Sequence, residues 1–166
     1  MKRVVRTSGR DSGRSPHSKA GRAIAAKPVN RGVSPYLHPR TGRILVVSTN
    51  PYDRLQLEAM LLTHGYTVMS ASSFEEASNL LQAIPVDLLV TSLELAAFNG
   101  LHLAIRSRGY DPRRKVIITH DRYDPTLNEQ AELLGVRFVA DPMESPAFLE
   151  CVDQALHNGR YTKLMA

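Results

Sequence analysis

Side chains able to do chemistry gather where the short apolar runs of this chain end. Ser48-Thr49 follow Ile44-Leu45-Val46-Val47, and Ser92, with Glu94 two residues on, closes Val86-Asp87-Leu88-Leu89-Val90-Thr91. Thr119-His120 follow Val116-Ile117-Ile118, and Asp141-Pro142 follow Arg137-Phe138-Val139-Ala140. The Ser92 hydroxyl could accept a phosphoryl group from a serine kinase, yet no base stands near it in the sequence. Glu94 and Asp141 offer oxygen ligands, but two carboxylates make an incomplete cage for a divalent cation. His120, if it meets Asp141, would form either a permanent contact or a pH-sensitive pair. His64, His102, His120 and His157 have no histidine three or four residues away, so the pattern predicts no metal site. Cys151, between Phe148 and Val152, reads as core packing rather than redox chemistry. These residues predict no catalytic centre, no cofactor and no enzyme.

The elements that must position these groups alternate. Ile44–Val47 is a continuous apolar run, as expected of a strand covered on both faces. Asn50-Pro51 supplies a helix cap and a first-turn proline. The helix then carries Leu55, Leu57, Ala59, Met60, Leu61 and Leu62 on one broad face up to Gly65. Thr67–Ala71 is a second strand, and Ser73 with Glu76 forms a capping box before Ala77, Leu80, Leu81 and Ile84. Val86–Ser92 is a third strand, followed by a loop through Asn99-Gly100 and a helix from about Leu101. Val116–Ile118 is a fourth strand. Asp124-Pro125 opens a helix holding Leu127, Ala131, Leu133 and Leu134, which stops at Gly135. Arg137–Ala140 is a fifth strand, and Ser145-Pro146 opens the last helix with Phe148, Leu149, Val152 and Leu156. Five strands, each followed by a helix, predict an α/β fold with a doubly wound five-stranded parallel sheet. Such sheets place functional groups at the carboxyl ends of their strands, where the residues named above fall.

Composition divides the chain. Hydrophobic residues make up 43%, enough for a real core. The net charge is +5, but residues 1–40 carry ten Lys/Arg against Asp11, whereas the remainder holds eleven Lys/Arg against fifteen acids. The first 40 residues are rich in Arg, Ser, Gly and Pro and show no sustained apolar period, which predicts a disordered basic leader. Such a leader could touch nucleic acid through phosphate neutralisation. A solubilising leader, an organellar targeting segment and a start-site artefact stay open. The basic start has no apolar segment behind it, so no secretory signal is expected. No stretch approaches the roughly 20 apolar residues of a membrane helix, and the single cysteine fits a reducing, cytoplasmic setting.

From residue 42 to 159 the chain resembles the receiver domain of bacterial two-component response regulators. The resemblance rests on Ile44–Val47 with Pro51 and Arg54, on Leu62 through Gly65-Tyr66, and on Ala71-Ser72-Ser73-Phe74-Glu75-Glu76-Ala77. Asp87–Val90, Asn99-Gly100-Leu101, Leu134-Gly135-Val136-Arg137-Phe138 and the later Pro142 complete it. It implies a (βα)5, flavodoxin-like fold over residues 42–159, between the leader and a short tail at 160–166. In that family an acidic pair after the first strand holds Mg²⁺, and an aspartate ending the third strand accepts the phosphoryl group. A Thr or Ser ends the fourth strand, and a Lys before proline ends the fifth.

Here the acidic pair falls on Ser48 and Thr49, and the phosphoacceptor position on Ser92. The hydroxyl switch position falls on His120, or on Thr119 if the strand shifts by one. The lysine position is Asp141, a charge reversal, and the aromatic switch position is Phe138. The resemblance therefore implies a stand-alone pseudo-receiver that signals by protein–protein interaction without phosphorylation. Its partner face, or a homodimer, would use about residues 124–134 and 145–158. A nucleic-acid-associated regulator using residues 1–40, and a receiver phosphorylated at a noncanonical residue, are the alternatives. Arg113-Arg114-Lys115 reads as a solvated strand entry or a docking cluster.

Overall fold

The computed structural model of the chain describes residues 42–161, with side chains as far as His157. The basic leader expected at 1–40 and the residues after Tyr161 lie outside the described residues. The elements run β1 (Arg43–Val47), α1 (Pro51–Thr63), β2 (Thr67–Ala71), α2 (Phe74–Ala83) and β3 (Leu88–Ser92). They continue with β4 (Glu94–Leu95), β5 (Phe98–Asn99), α3 (Gly100–Tyr110), β6 (Lys115–His120), α4 (Pro125–Leu133), β7 (Arg137–Ala140) and α5 (Pro146–Tyr161). The main sheet has the order β2-β1-β3-β6-β7, and every pairing in it is parallel.

The continuous apolar runs follow from burial on two sides. Successive strand side chains point to opposite faces. Leu45, Val47, Leu89, Val116 and Ile118 pack with Phe74, Ala77 and Leu81 of α2, Leu103 and Ala104 of α3 and Ala131 of α4. Their neighbours Ile44, Val46, Leu88, Val90 and Ile117 pack with Leu57 and Leu61 of α1 and Phe148, Cys151 and Val152 of α5. The sheet thus separates two cores.

Helix starts follow their capping chemistry. Asn50 accepts from Tyr52 N at 3.0 Å, and Asp124 accepts from Thr126 N at 2.8 Å. Ser73 Oγ accepts from Glu76 N at 3.1 Å. The returning Glu76 carboxylate reaches one residue further back than a capping box requires, taking the amide and hydroxyl of Ser72, each at 2.8 Å. Those two bonds hold the Glu76 carboxyl below its ordinary value of 4.5. A carboxyl lowered in the folded state stabilises above its unfolded pKa, and the contribution is lost as pH falls through the folded value. Glu76→Gln is expected to cost about 0.5–1 kcal/mol at pH 7. Denaturant unfolding at pH 7 and pH 3 should show that difference shrinking in acid.

Three expectations about the elements change. The α1 stripe is narrower than its composition suggested: Leu57 and Leu61 are buried, but Leu55 is 62% exposed and Leu62 54%. Leu55 lies two residues, or about 200°, from Leu57 on a helical wheel and so points away from the sheet. In α4 the same geometry buries Ala131 and leaves Leu133 81% exposed. The segment after β3 is no open loop but a two-stranded antiparallel hairpin, pairing Glu94 with Asn99 and Leu95 with Phe98. Ala96 turns it at φ 56°, Leu95 is buried beneath it, and Phe98 stacks on Phe74 at 4.4 Å between ring centroids.

Arg114 is also not a solvated strand entry. It is buried, and its guanidinium donates to Val86 O at 3.0 Å, Ser107 O at 3.2 Å and Leu81 O at 3.2 Å. Loss of hydration pulls its pKa down, opposed by the charges of Asp111 and Asp87. Arg113, next to it, is exposed and faces Asp111 at 3.6 Å.

Candidate functional site

The carboxyl ends of β1, β3, β6 and β7 surround a cleft of about 430 Å³. Ser48, Thr49, Ser92, Thr119, His120, Asp141 and Pro142 all line it, as does Glu94. Register explains the convergence, because Val47 lies beside Thr91, Ser92 beside Thr119, and His120 beside Ala140. Phe138 stands apart from this group. It is half-buried in β7, packs against the core on the α2–α4 side and meets Tyr123 edge-on at 6.4 Å.

Two of the cleft's hydroxyls, those of Ser48 and Thr119, are committed to local bonds. Ser48 is 1% exposed; its Oγ accepts from Asn50 N at 3.2 Å, and its carbonyl accepts from Arg54 Nη1 at 2.7 Å. Thr119 Oγ1 donates to Thr91 O at 3.4 Å. Leu93 N donates to Thr119 O at 2.8 Å, which ties the chain leaving β3 to β6. Asp141 and His120 do meet, but through the main chain, Asp141 N donating to His120 O at 2.8 Å. Among the described residues no bond joins the imidazole to the carboxylate. Asp141 is exposed and takes φ 46°, and its carbonyl accepts from the amides of Glu144 and Ser145.

The cleft also holds residues that sequence reasoning passed over: Asn50, Asp53, Asp121 and Met143. Asp53 sits in the first turn of α1 and Asp121 directly after the His120 strand end, positions that parallel topology alone brings to this edge. With them the cleft is lined by four carboxylates, from Asp53, Glu94, Asp121 and Asp141, and by no Lys or Arg. An entering phosphoryl group would meet like charge. Among the described residues no three His, Cys, Asp or Glu side chains are grouped so as to hold a metal ion. The oxygen cage that Mg²⁺ demands does not fit these residues.

No family model matches the chain. In sequence it is similar to Protein CcdB of Bacillus subtilis, 27% identical over 116 residues that span 69% of this chain and 97% of the relative. In structure it is similar to the response regulator TrrA of Thermotoga maritima, solved in complex with Mg²⁺–BeF, with TM-score 0.64 and 25% identity over 70% of this chain and all of that one. The receiver domain of the hybrid histidine kinase CckA superposes with TM-score 0.58 at 27% identity, again over 70% of this chain and all of that one. A CheY-like receiver domain from Methanospirillum hungatei gives TM-score 0.67 at 18% identity over 74% of this chain and 99% of that one. The fold is that of a response regulator receiver domain.

On the surface of α4, β7 and α5 and the turn before α4, large apolar side chains stand open. Leu133 and Tyr123 are exposed there, at 81% and 65%. A second cavity of about 330 Å³ runs between β7 and α5, lined by Phe138, Ala140, Ala147, Glu150 and Cys151 among others. Burial pushes the Cys151 thiol up, with Arg137 opposing, so it remains a neutral packing group. No described helix is long and apolar enough to cross a membrane.

Proposed function

We propose that this chain is a signalling module of the response-regulator type that works by binding a partner protein, without an acyl-phosphate cycle and without enzymatic turnover. One observation carries the reading. The strand-end cleft presents Ser48, Thr49, Ser92 and Asp141 where the receiver resemblance calls for two acids, an aspartate and a lysine, and it is lined by four acidic residues and by no Lys or Arg. Phosphoryl transfer relies on positive charge at the transferring group, and the cleft supplies the opposite sign. Ser48, Thr49, Ser92 and Asp141 then serve as a fixed polar floor, and Phe138 holds one rotamer against Tyr123. The partner, or a second copy of the chain, docks on about residues 124–134 and 145–158, where Leu133, with Tyr123 just before the first stretch, offers apolar area.

Intact-mass analysis after incubation with Mg²⁺ and acetyl phosphate, beside an ordinary receiver as control, tests this reading. We expect no mass gain, and an amide NMR spectrum at Ser92, Thr119 and Phe138 that Mg²⁺ with beryllofluoride leaves unchanged. A gain of one phosphoryl group would overturn it and point first to Glu94.

A further inference from the structure

The opposite edge of the sheet carries a different kind of cleft. β6 and β7 are parallel; Lys115 opens β6, and Arg137 opens β7 beside Ile117, two residues further along β6. Between their starts lies a cavity of about 290 Å³, lined by Arg108 of α3, Lys115, Val116, Gly135, Arg137, Gln154 and Ala155. That lining has three cations and no carboxylate. Strands of this length put it roughly 15–20 Å from the acidic cleft, so the fold separates charge between the two ends of its sheet.

Two of the three cations are not paired off by the fold. Among the described residues neither Lys115 nor Arg137 has an ion-pair partner. Arg137 reaches the Cys151 thiol, a weak acceptor. Arg108 gives Nη1 to Leu134 O and Nη2 to Gly135 O, which fixes the guanidinium at the end of α4. Its Nε is buried with no hydrogen-bond partner, an orphan donor of the kind native structures seldom leave. The carboxylate of Asp153 on α5 accepts from Tyr66 Oη and does not line the cavity. Val116 and Ala155 add an apolar wall, and Gln154 an amide.

We propose that this cavity is an anion site that takes a doubly charged phosphate group, with Lys115 and Arg137 closing on it and Arg108 held rigid at its back. Guanidinium and ammonium groups lining one cavity without a carboxylate suit phosphate oxygens. The volume, roughly ten waters' worth, admits a small phosphomonoester whose organic part lies on Val116 and Ala155, as well as free phosphate.

Residue-resolved amide NMR of the full chain tests the site, because it separates this cavity from any binding by the basic residues 1–40. The titrants are inorganic phosphate and phenyl phosphate, each at constant ionic strength made up with sodium chloride. Saturable shifts at Val116, Gly135 and Ala155 are expected, weakened about tenfold or more by Lys115→Gln with Arg137→Gln. Both side chains belong to exposed residues, so the variant should fold, and its unchanged spectrum at Ser92 and Thr119 would show that it has. Tighter binding of phenyl phosphate assigns the site to a phosphomonoester, and equal binding assigns it to free phosphate. Shifts confined to residues 1–40, shifts matched by chloride alone, or full binding by the double variant would overturn the proposal. None of these outcomes depends on whether the acidic cleft accepts a phosphoryl group.

Discussion

Gly100→Ala is expected to lower stability by about 3 kcal/mol, near the upper end of the usual overpacking cost. A Cβ at position 100 would fall inside the contact distance of the Ser92 carbonyl oxygen, 3.2 Å from its carbonyl carbon and 3.3 Å from Leu93 Cα. All three are main-chain atoms, and they cannot swing aside as the end of a flexible side chain could. Ser92 is held in β3 between β1 and β6, and Gly100 N donates to Leu93 O at 2.7 Å, fastening the start of α3 to the same place. Relief would have to come from moving the strand end or unseating the helix. Gly109 is the internal control, since a Cβ there meets nothing within 4 Å. In the last turn of the same helix, Gly109→Ala should raise stability by up to about 1 kcal/mol. Urea unfolding of both variants would check the opposite signs. Equal effects would mean that helix propensity, not close approach to Ser92, decides the outcome at position 100.

Arg114→Met is expected to be comparably damaging, costing about 2–4 kcal/mol by the same measurement. The Arg114 stem fills buried space that Met can fill in part, but Met cannot donate. The carbonyls of Leu81, Val86 and Ser107, now bonded to one guanidinium, would be left without that donor. The cost arises at three places, because these carbonyls belong to α2, to the turn before β3 and to α3. Arg114→Lys should recover only part of the loss, since one ammonium lacks the planar fork that reaches all three. Arg113→Ala should change stability by less than about 0.5 kcal/mol, because its partner contact is between exposed side chains. A mild phenotype for Arg114→Met would show that water replaces the lost donors and that the guanidinium is not the clamp.

The frame of this molecule was legible because each level of the sequence agrees with the others. Unbroken apolar runs need two covered faces, and Asn50-Pro51 and Asp124-Pro125 state where helices begin. Once parallel topology is inferred, the gathering of Ser48, Ser92, Thr119 and Asp141 at one edge follows without further information. What stayed hidden depends on tertiary context. The hairpin at Glu94–Asn99 has strands of two residues, too short for any period to show. Arg114 stands between Arg113 and Lys115, and only the fold distinguishes the one turned inward. On α1, leucines spaced two residues apart look alike in composition, yet the sheet can cover Leu57 and Leu61 while leaving Leu55 outside. His120 and Asp141 adjoin, but through the main chain, Asp141 N donating to His120 O, and no bond joins their side chains.

The division of the interior into two cores has a consequence for how this sequence can drift. Leu45 and Val47 answer to α2, α3 and α4, whereas Ile44 and Val46 answer to α1 and α5. Volume changed on one side of the sheet is therefore compensated by neighbours on that side, and residues without shared neighbours tend to vary additively. The interior behaves as two separate packing puzzles that share a wall of backbone. Each can wander through many hydrophobic solutions while the other stands still, and the two charged clefts at the ends of that wall keep their places throughout.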